Sequence, residues 1–273
     1  MNYGGKGIKQ KKRLLNSATT KLGTKLGIFF IKLALVVSGS CLVLGSFQGI
    51  IENAPDIASV NVSPEGFATK IYDSDENEIQ TLSSAGANRT YVTIDQIPKD
   101  LQHAFIAIED ERFYEHNGID MRGILRAASI TLSSGEMSQG ASTITQQLLK
   151  NNVFNAFNES TIEKIKRKVQ EQYLAIKLET VMSKDSILEN YLNTINLGNG
   201  YYGVQAAARG YFNKDVSELS ISECAVIASI TKSPTGLNPI RHADRNKDRQ
   251  SQVLLNMKEQ EYISQEEYDE AVS

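Results

Sequence analysis

From Pro98 onward the apolar residues recur at helical spacing, and before that point they do not. Leu101, Phe105 and Ile108 share one face, as do Met121, Ile124, Leu125 and Ala128, while Ile162, Ile165, Val169, Tyr173 and Ile176 form a longer stripe. Such a period predicts amphipathic helices whose apolar faces meet in a core. Further helices are predicted at 184–194, 203–211, 220–231, 243–260 and 264–272. Two of these open on capping-box pairs, Ser220–Glu223 and Ser264–Glu267. Upstream, Phe67–Tyr72 alternates, the polar run Asp73–Glu78 turns the chain, and Ile79–Leu82 is placed to pair back; Tyr91–Ile94 reads as a third short strand. No internal repeat is visible.

Nearer the N-terminus the pattern is continuous and apolar. Leu33–Ile51 is a run of 19 uncharged residues, which as a helix spans roughly 28 Å, close to the thickness of a hydrocarbon core. Lys32 stands at its near edge, and seven Lys/Arg precede it between Lys6 and Lys25. That bias predicts a retained single-pass anchor with the N-terminus in the cytoplasm and the rest of the chain outside the cell membrane. A cleaved signal peptide is disfavoured, because the run is too long and no small-x-small site precedes Pro55. The chain thus divides into a basic cytoplasmic arm (1–27), a transmembrane helix (28–51), a linker with a short β element (52–97) and a mainly α domain (98–273).

Charge sharpens this division. The net charge of −3 hides eight Lys/Arg and no acid in residues 1–51, so the remainder carries 29 − 8 = 21 basic against 32 acidic residues. Only the arm suits an anionic partner, and beside an apolar span that partner is the bilayer and not nucleic acid. Cys41 and Cys224 are too far apart in sequence to suggest a disulfide framework or a metal site.

Three blocks carry candidate chemistry. Glu109-Asp110-Glu111 closes an apolar helix, so some of these carboxylates must sit between core and solvent, where partial loss of hydration makes a carboxylate a better base. Taken alone, the block fits a charged helix end equally well. Gly140–Gln147 opens a helix whose N–H groups, with Ser142 and Thr143, could bind an anion; Thr143, Gln147 and Lys150 then form a polar stripe. Lys164, Lys166, Arg167 and Lys168 precede Glu171, and Arg167 and Glu171 lie one turn apart. That cluster is either a phosphate site or a solvated ion pair.

In order and spacing, these blocks resemble the family 51 glycosyltransferases, the glycan-polymerising domain of class A penicillin-binding proteins. The likeness runs through Ile106–Gly118, Gly140–Lys150, Arg167–Glu171, KDSILENYLN (184–193), GVQAAARGYF (203–212), LSISECAVIA (219–228) and KSPTGLNP (232–239). Ala141, Gln170 and Asn213 depart from the family pattern. The resemblance implies a mainly α fold, with a lysozyme-like helical lobe and a smaller membrane-proximal jaw lobe. It implies lipid II and the growing glycan chain as substrates, inversion to a β-1,4 product, release of polyprenyl diphosphate, and a place in a cell-wall synthesis complex. Glu109 would be the base and Glu171 a second carboxylate; Arg126, Lys150 and Arg167 would face the phosphates, with Ser142, Thr143, Gln146 and Gln147 as polar contacts. No obligatory cofactor is implied, though a divalent cation such as magnesium could sit at the pyrophosphate. Ser229-Ile230-Thr231-Lys232 fits a penicillin-reactive Ser-x-x-Lys, but no Lys-Thr-Gly follows, and the match reads as coincidence. A glycan hydrolase and an inactive scaffold are the rival readings. Phe154 and Phe157 are expected to dip into the outer leaflet.

Overall fold

The computed structural model describes residues 45, 47–67, 69–76, 78–82, 88–134, 141–154 and 159–273. Two compact units meet at Asn53/Ala54. In the first, residues 47–52 are helical. The predicted arm and most of the predicted span lie outside the described residues, and among the described residues no helix is long and apolar enough to cross a membrane.

The second unit begins with an antiparallel hairpin. Strand β1 (Thr69–Tyr72) pairs with β2 (Glu78–Leu82), Thr69 opposite Leu82, with an irregularity at Ile71/Tyr72. The expected third strand at Tyr91–Ile94 is absent. There Asn193 acts as the strand partner: its Oδ1 accepts from Val92 N at 2.9 Å and its Nδ2 donates to Val92 O at 2.8 Å. A side chain satisfies the backbone, so no ladder is needed, and the chain turns into a 3₁₀ segment at Ile94–Gln96.

Helices make up the rest: α1 (Lys99–Glu109), α2 (Met121–Ser134), α3 (Ile144–Asn152), α4 (Thr161–Leu178), α5 (Lys184–Thr194), α6 (Val204–Phe212), α7 (Ile221–Ser229), α8 (Ala243–Glu259) and α9 (Gln265–Val272). The capping boxes read from sequence are formed at Ser220–Glu223 and Ser264–Glu267, and Ser160–Glu163 adds a third at the start of α4. Glu223 also binds Lys214 at 2.8 Å, which accounts for it structurally. Helix α6 ends on Asn213 in the left-handed conformation, which asparagine tolerates.

Helix α1 packs on α7 and α8, while α3 packs on α4 and α5. Phe105 of α1 meets Tyr191 of α5 edge to face, with ring centroids 6.0 Å apart, joining the two groups; both are fully buried, as are Leu148, Leu174, Leu188 and Leu254. Burying side chains of this size contributes about 1.5–3 kcal/mol each. Two predicted faces are displaced. Met121 and Leu125 on α2 are exposed, and so are Ile162, Ile165 and Ile176 on α4; the buried face of α4 is instead Glu171, Leu174, Ala175 and Leu178. Periodicity locates an apolar stripe, but here the core is reached through the neighbouring one. Phe154 is half-buried and packs against the core, contrary to the expected dip into a leaflet, and Phe157 lies outside the described residues.

Candidate active site

The acids that close α1 divide the work among three environments. Asp110 turns inward: it is buried, its Oδ2 accepts from Ile144 N at 2.9 Å, and both its oxygens lie about 3 Å from His116 Nε2. Glu111 turns outward to Arg112 and Arg126, at 3.0 and 3.2 Å. Glu109 lies between them, half-buried, with Gln147 Nε2 donating to its Oε2 at 2.9 Å and the Thr231 hydroxyl donating to its Oε1. One sequence block thus holds a structural anchor, a solvated ion pair and a poised carboxylate.

This geometry rearranges the expected anion site at the start of α3. Its N–H of Ile144 is taken by Asp110, and that of Gln146 by the Thr143 hydroxyl at 3.2 Å. The anion at this helix start is therefore the protein's own, as the helix dipole favours. Thr143, the N-cap, is buried and donates to Gly118 O at 2.8 Å, so its hydroxyl is committed on both sides. Gln146 is buried as well, donating to the same carbonyl at 3.2 Å. Gly118 has φ +84°, and a Cβ there would lie 2.5 Å from the Ala175 carbonyl carbon and oxygen, so only glycine lets this loop sit against α4.

Arg167 is turned away from where the cluster reading put it. Its Nε donates to Glu159 at 2.8 Å and its Nη1 to Glu171, which together with burial of the acids leave it paired on two sides; the Glu159 bond is the main cause holding its pKa up. Lys168 takes the place facing the cleft. Its Nζ reaches Ser142 Oγ at 2.7 Å, Gln146 Oε1 at 2.9 Å and Glu171 Oε2 at 3.3 Å, and burial lowers its pKa against the pull of Glu171. Glu171 is 1% exposed and serves as the counter-ion of both cations.

Two adjoining cavities meet at Ile108, Glu109, Arg126, Ser142 and Asn256. One, of about 570 Å³, is cationic, with Arg126, Lys150, Lys168, Lys232 and Arg249 on its walls beside Gln146, Gln147 and Glu171. The other, of about 430 Å³, is rich in acids and amides, including Asp110, Glu111, Asp120, Glu259 and Gln260. Of the residues expected from sequence, Glu109, Glu171, Arg126, Ser142, Gln146, Gln147 and Lys150 line the cationic cavity; Thr143 lines the other, and Arg167 lines neither. Thr231 and Lys232 stand in segments quoted from the sequence but given no role at the site, and Arg249 and Asn256 belong to no motif; all four lie more than a hundred positions from Glu109. Burial lowers the Arg249 pKa while Glu109 opposes that shift. Lys168 was within reach of sequence reasoning, since it lies at i,i+3 from Glu171 as Arg167 lies at i,i+4. Ser229 is fully buried and donates back to Ala225 O at 2.6 Å, so it is no penicillin-reactive serine.

A carboxylate fixed at the mouth of a cationic cavity suits transfer from an anionic leaving group. The model of the family described as Transglycosylase matches residues 75–258. The chain belongs to the transglycosylase family. The chain is 42% identical over 247 residues to penicillin-binding protein 1A of Escherichia coli (strain K12), covering 88% of this chain and 28% of that protein. It is 45% identical over 200 residues to penicillin-binding protein 1F of Bacillus subtilis (strain 168), covering 73% and 27%. The chain therefore spans under a third of the length of these relatives. A crystal structure of penicillin-binding protein 1A from Haemophilus influenzae overlays on 78% of this chain and 21% of that one, with 27% identity and a TM-score of 0.42.

Proposed function

We propose that this transglycosylase polymerises lipid II into β-1,4 glycan strands with inversion, releasing polyprenyl diphosphate, and that Glu109 is the base for the incoming hydroxyl. The observation that carries this reading is the placing of Glu109, half-buried between two donors, where the cationic and the acid-rich cavities join. The chemistry asks for that combination. A diphosphate is already a good leaving group, so no strong acid is required at the departing oxygen; a base is needed on one side and positive charge on the other. Arg126, Lys150, Lys168, Lys232 and Arg249 supply the charge around the donor diphosphate, and the acid-rich cavity takes the acceptor sugar. Glu171 and Arg167 act behind this wall, holding Lys168 in place. Ser142, Gln146 and Gln147 are the polar contacts, with Thr143 shaping the helix start.

Three carboxylates at the site have both oxygens engaged by the protein itself. Both oxygens of Glu171 are engaged by Arg167 and Lys168, those of Glu109 by Gln147 and Thr231, and Asp110 by Ile144 N and His116. Among the described residues no group of three His, Cys, Asp or Glu is arranged to hold a metal. The apolar run at 33–51 supports a single-pass anchor in the cell membrane, with the catalytic unit on the outer face, near the lipid-borne substrate. On this reading α1 with α7 and α8 belongs to a lysozyme-like lobe beside a smaller jaw lobe, and the protein works within a cell-wall synthesis complex. Incubating the full chain with lipid II and separating the products by size tests the proposal: long glycan strands are expected. Cleavage of preformed glycan without elongation of lipid II would favour a hydrolase instead.

A further inference from the structure

Thr231 lies on the short 3₁₀ turn Ile230–Lys232, in contact with Glu109 and among the lining residues of neither cavity. Its hydroxyl oxygen has two acceptors within reach, Glu109 Oε1 and, at 2.9 Å, the carbonyl of Ala228. A threonine hydroxyl carries one hydrogen, so it serves only one of them at a time. Which one it serves depends on Glu109. While the carboxylate is ionised, the hydrogen belongs to Oε1, where the bond is charge-assisted. On the other carboxylate oxygen there is no such freedom. Gln147 presents its amide N–H to Oε2 at 2.9 Å, and the Tyr191 hydroxyl at 3.2 Å from Gln147 Oε1 holds the amide in that sense. Arg249, facing the same carboxylate from α8, is likewise a donor only. A proton reaching Glu109 is therefore accommodated at Oε1.

We propose that Thr231 is a positioning residue that keeps Glu109 hydrogen-bonded in both of its protonation states. It donates to Oε1 while Glu109 waits as base; once Oε1 is protonated, the hydroxyl turns to the Ala228 carbonyl and accepts from Oε1–H. Neither state leaves Glu109 Oε1 or the Thr231 hydroxyl unpaired, a lapse that would otherwise add to the barrier. The inference rests on Glu109 being the base. In the step itself the O–H bond of the acceptor hydroxyl breaks and the Oε1–H bond forms. The acceptor oxygen bonds to the anomeric carbon as the bond from that carbon to the diphosphate oxygen breaks, and the diphosphate leaves with the electron pair. The Ala228 carbonyl has no proton to pass on, so Thr231 orients and does not relay; the proton leaves Glu109 for water in the cleft.

The test compares Thr231→Val, Thr231→Ala and Thr231→Ser in the full chain, with lipid II as substrate. Both hydroxyl-free variants should lose kcat by about tenfold to a hundredfold, with KM changed by less than about threefold, while Thr231→Ser recovers most of the rate. Affinity for a phosphoglycolipid of the moenomycin type should stay within about threefold of wild type in all three, since the cationic wall is untouched. Wild-type kcat in a hydroxyl-free variant overturns the proposal, and so does a serine variant as slow as the valine one, which would assign the effect to packing of the methyl group. Glu109→Gln, measured alongside, separates the two layers: turnover in that variant removes Glu109 as base, whereas its loss together with a normal Thr231→Val removes Thr231 alone.

Discussion

Arg167 and Lys168 are adjacent in sequence and contact the same carboxylate, yet their substitution should give opposite phenotypes. Glu171 is 1% exposed and paired to both, while Arg167 is 15% exposed and also holds Glu159. In Arg167→Ala, Glu171 is left with Lys168 alone and Glu159 with no guanidinium. Breaking a buried pair on one side costs about 3–5 kcal/mol, and the remaining lysine puts this case at the lower end. For a unit of this size each kcal/mol moves Tm by about 2–4 °C, so the variant should melt about 6–12 °C lower. Lys168 is more exposed, at 39% of its side chain, and faces the cavity. Lys168→Met, which takes the donor from Gln146 Oε1 but leaves Glu171 its guanidinium, should lower Tm by only about 2–6 °C, yet weaken binding of a moenomycin-type phosphoglycolipid by about tenfold or more, the worth of a hydrogen bond to a charged group. Calorimetric melting and inhibitor titration on the same preparations decide the matter. If Arg167→Ala melts like wild type but no longer binds, while Lys168→Met binds normally, then Arg167 is the phosphate contact and the cleft has been read the wrong way round.

Three further outcomes follow from the same geometry. Lys150→Ala should weaken inhibitor binding and donor use without altering Tm, because Lys150 is an exposed wall residue of the cationic cavity; unchanged affinity would make it a solvated lysine only. Gly118→Ala should be among the most destabilising single changes in the catalytic unit, on the order of 3 kcal/mol, since it combines a left-handed backbone with a Cβ 2.5 Å from the Ala175 backbone; thermal melting checks it. Burial raises the Tyr191 pKa well above 10, so between about pH 10 and that raised value the folded state keeps a proton that the unfolded state has lost, and stability falls as pH rises. Tyr191→Phe should flatten this alkaline loss in melting curves recorded against pH, while loosening Gln147 and lowering turnover at neutral pH.

Much of the fold was legible because helix signals are local. The starts of α5 and α8 follow from periodicity, those of α7 and α9 also from serine caps, and the hairpin from alternation around a polar turn. What failed was the choice of face. The Ile162–Ile165–Ile176 stripe is as apolar as a core stripe, yet α4 buries the side that carries Glu171, because Arg167 and Lys168 of the same helix neutralise that carboxylate while Leu174, Ala175 and Leu178 beside it enter the core. Tyr91–Ile94 looked like a strand because nothing local reveals that Asn193, a hundred positions on, will satisfy its backbone. At the site, the motif residues could be named from order and spacing, but their division of labour could not. That Asp110 fills the helix start, that Thr143 is spent on the Gly118 carbonyl and that Lys168 rather than Arg167 faces the cavity depend on side-chain directions set by packing. Thr231 and Arg249 carry no motif in sequence that would tie them to Glu109; only the folding of α7 and α8 onto α1 does so.

The most direct test of the central claim is the turnover of Glu109→Gln with lipid II. Glutamine keeps the size of the side chain and a carbonyl oxygen for one of the two donors, but it cannot take a proton from the acceptor hydroxyl. Polymerisation measured by the appearance of glycan strands should fall by on the order of 10²–10⁴, with cooperative melting and phosphoglycolipid binding close to wild type. Near-normal strand synthesis by that variant would contradict the account, because the carboxylate at the junction of the two cavities would then not be the base.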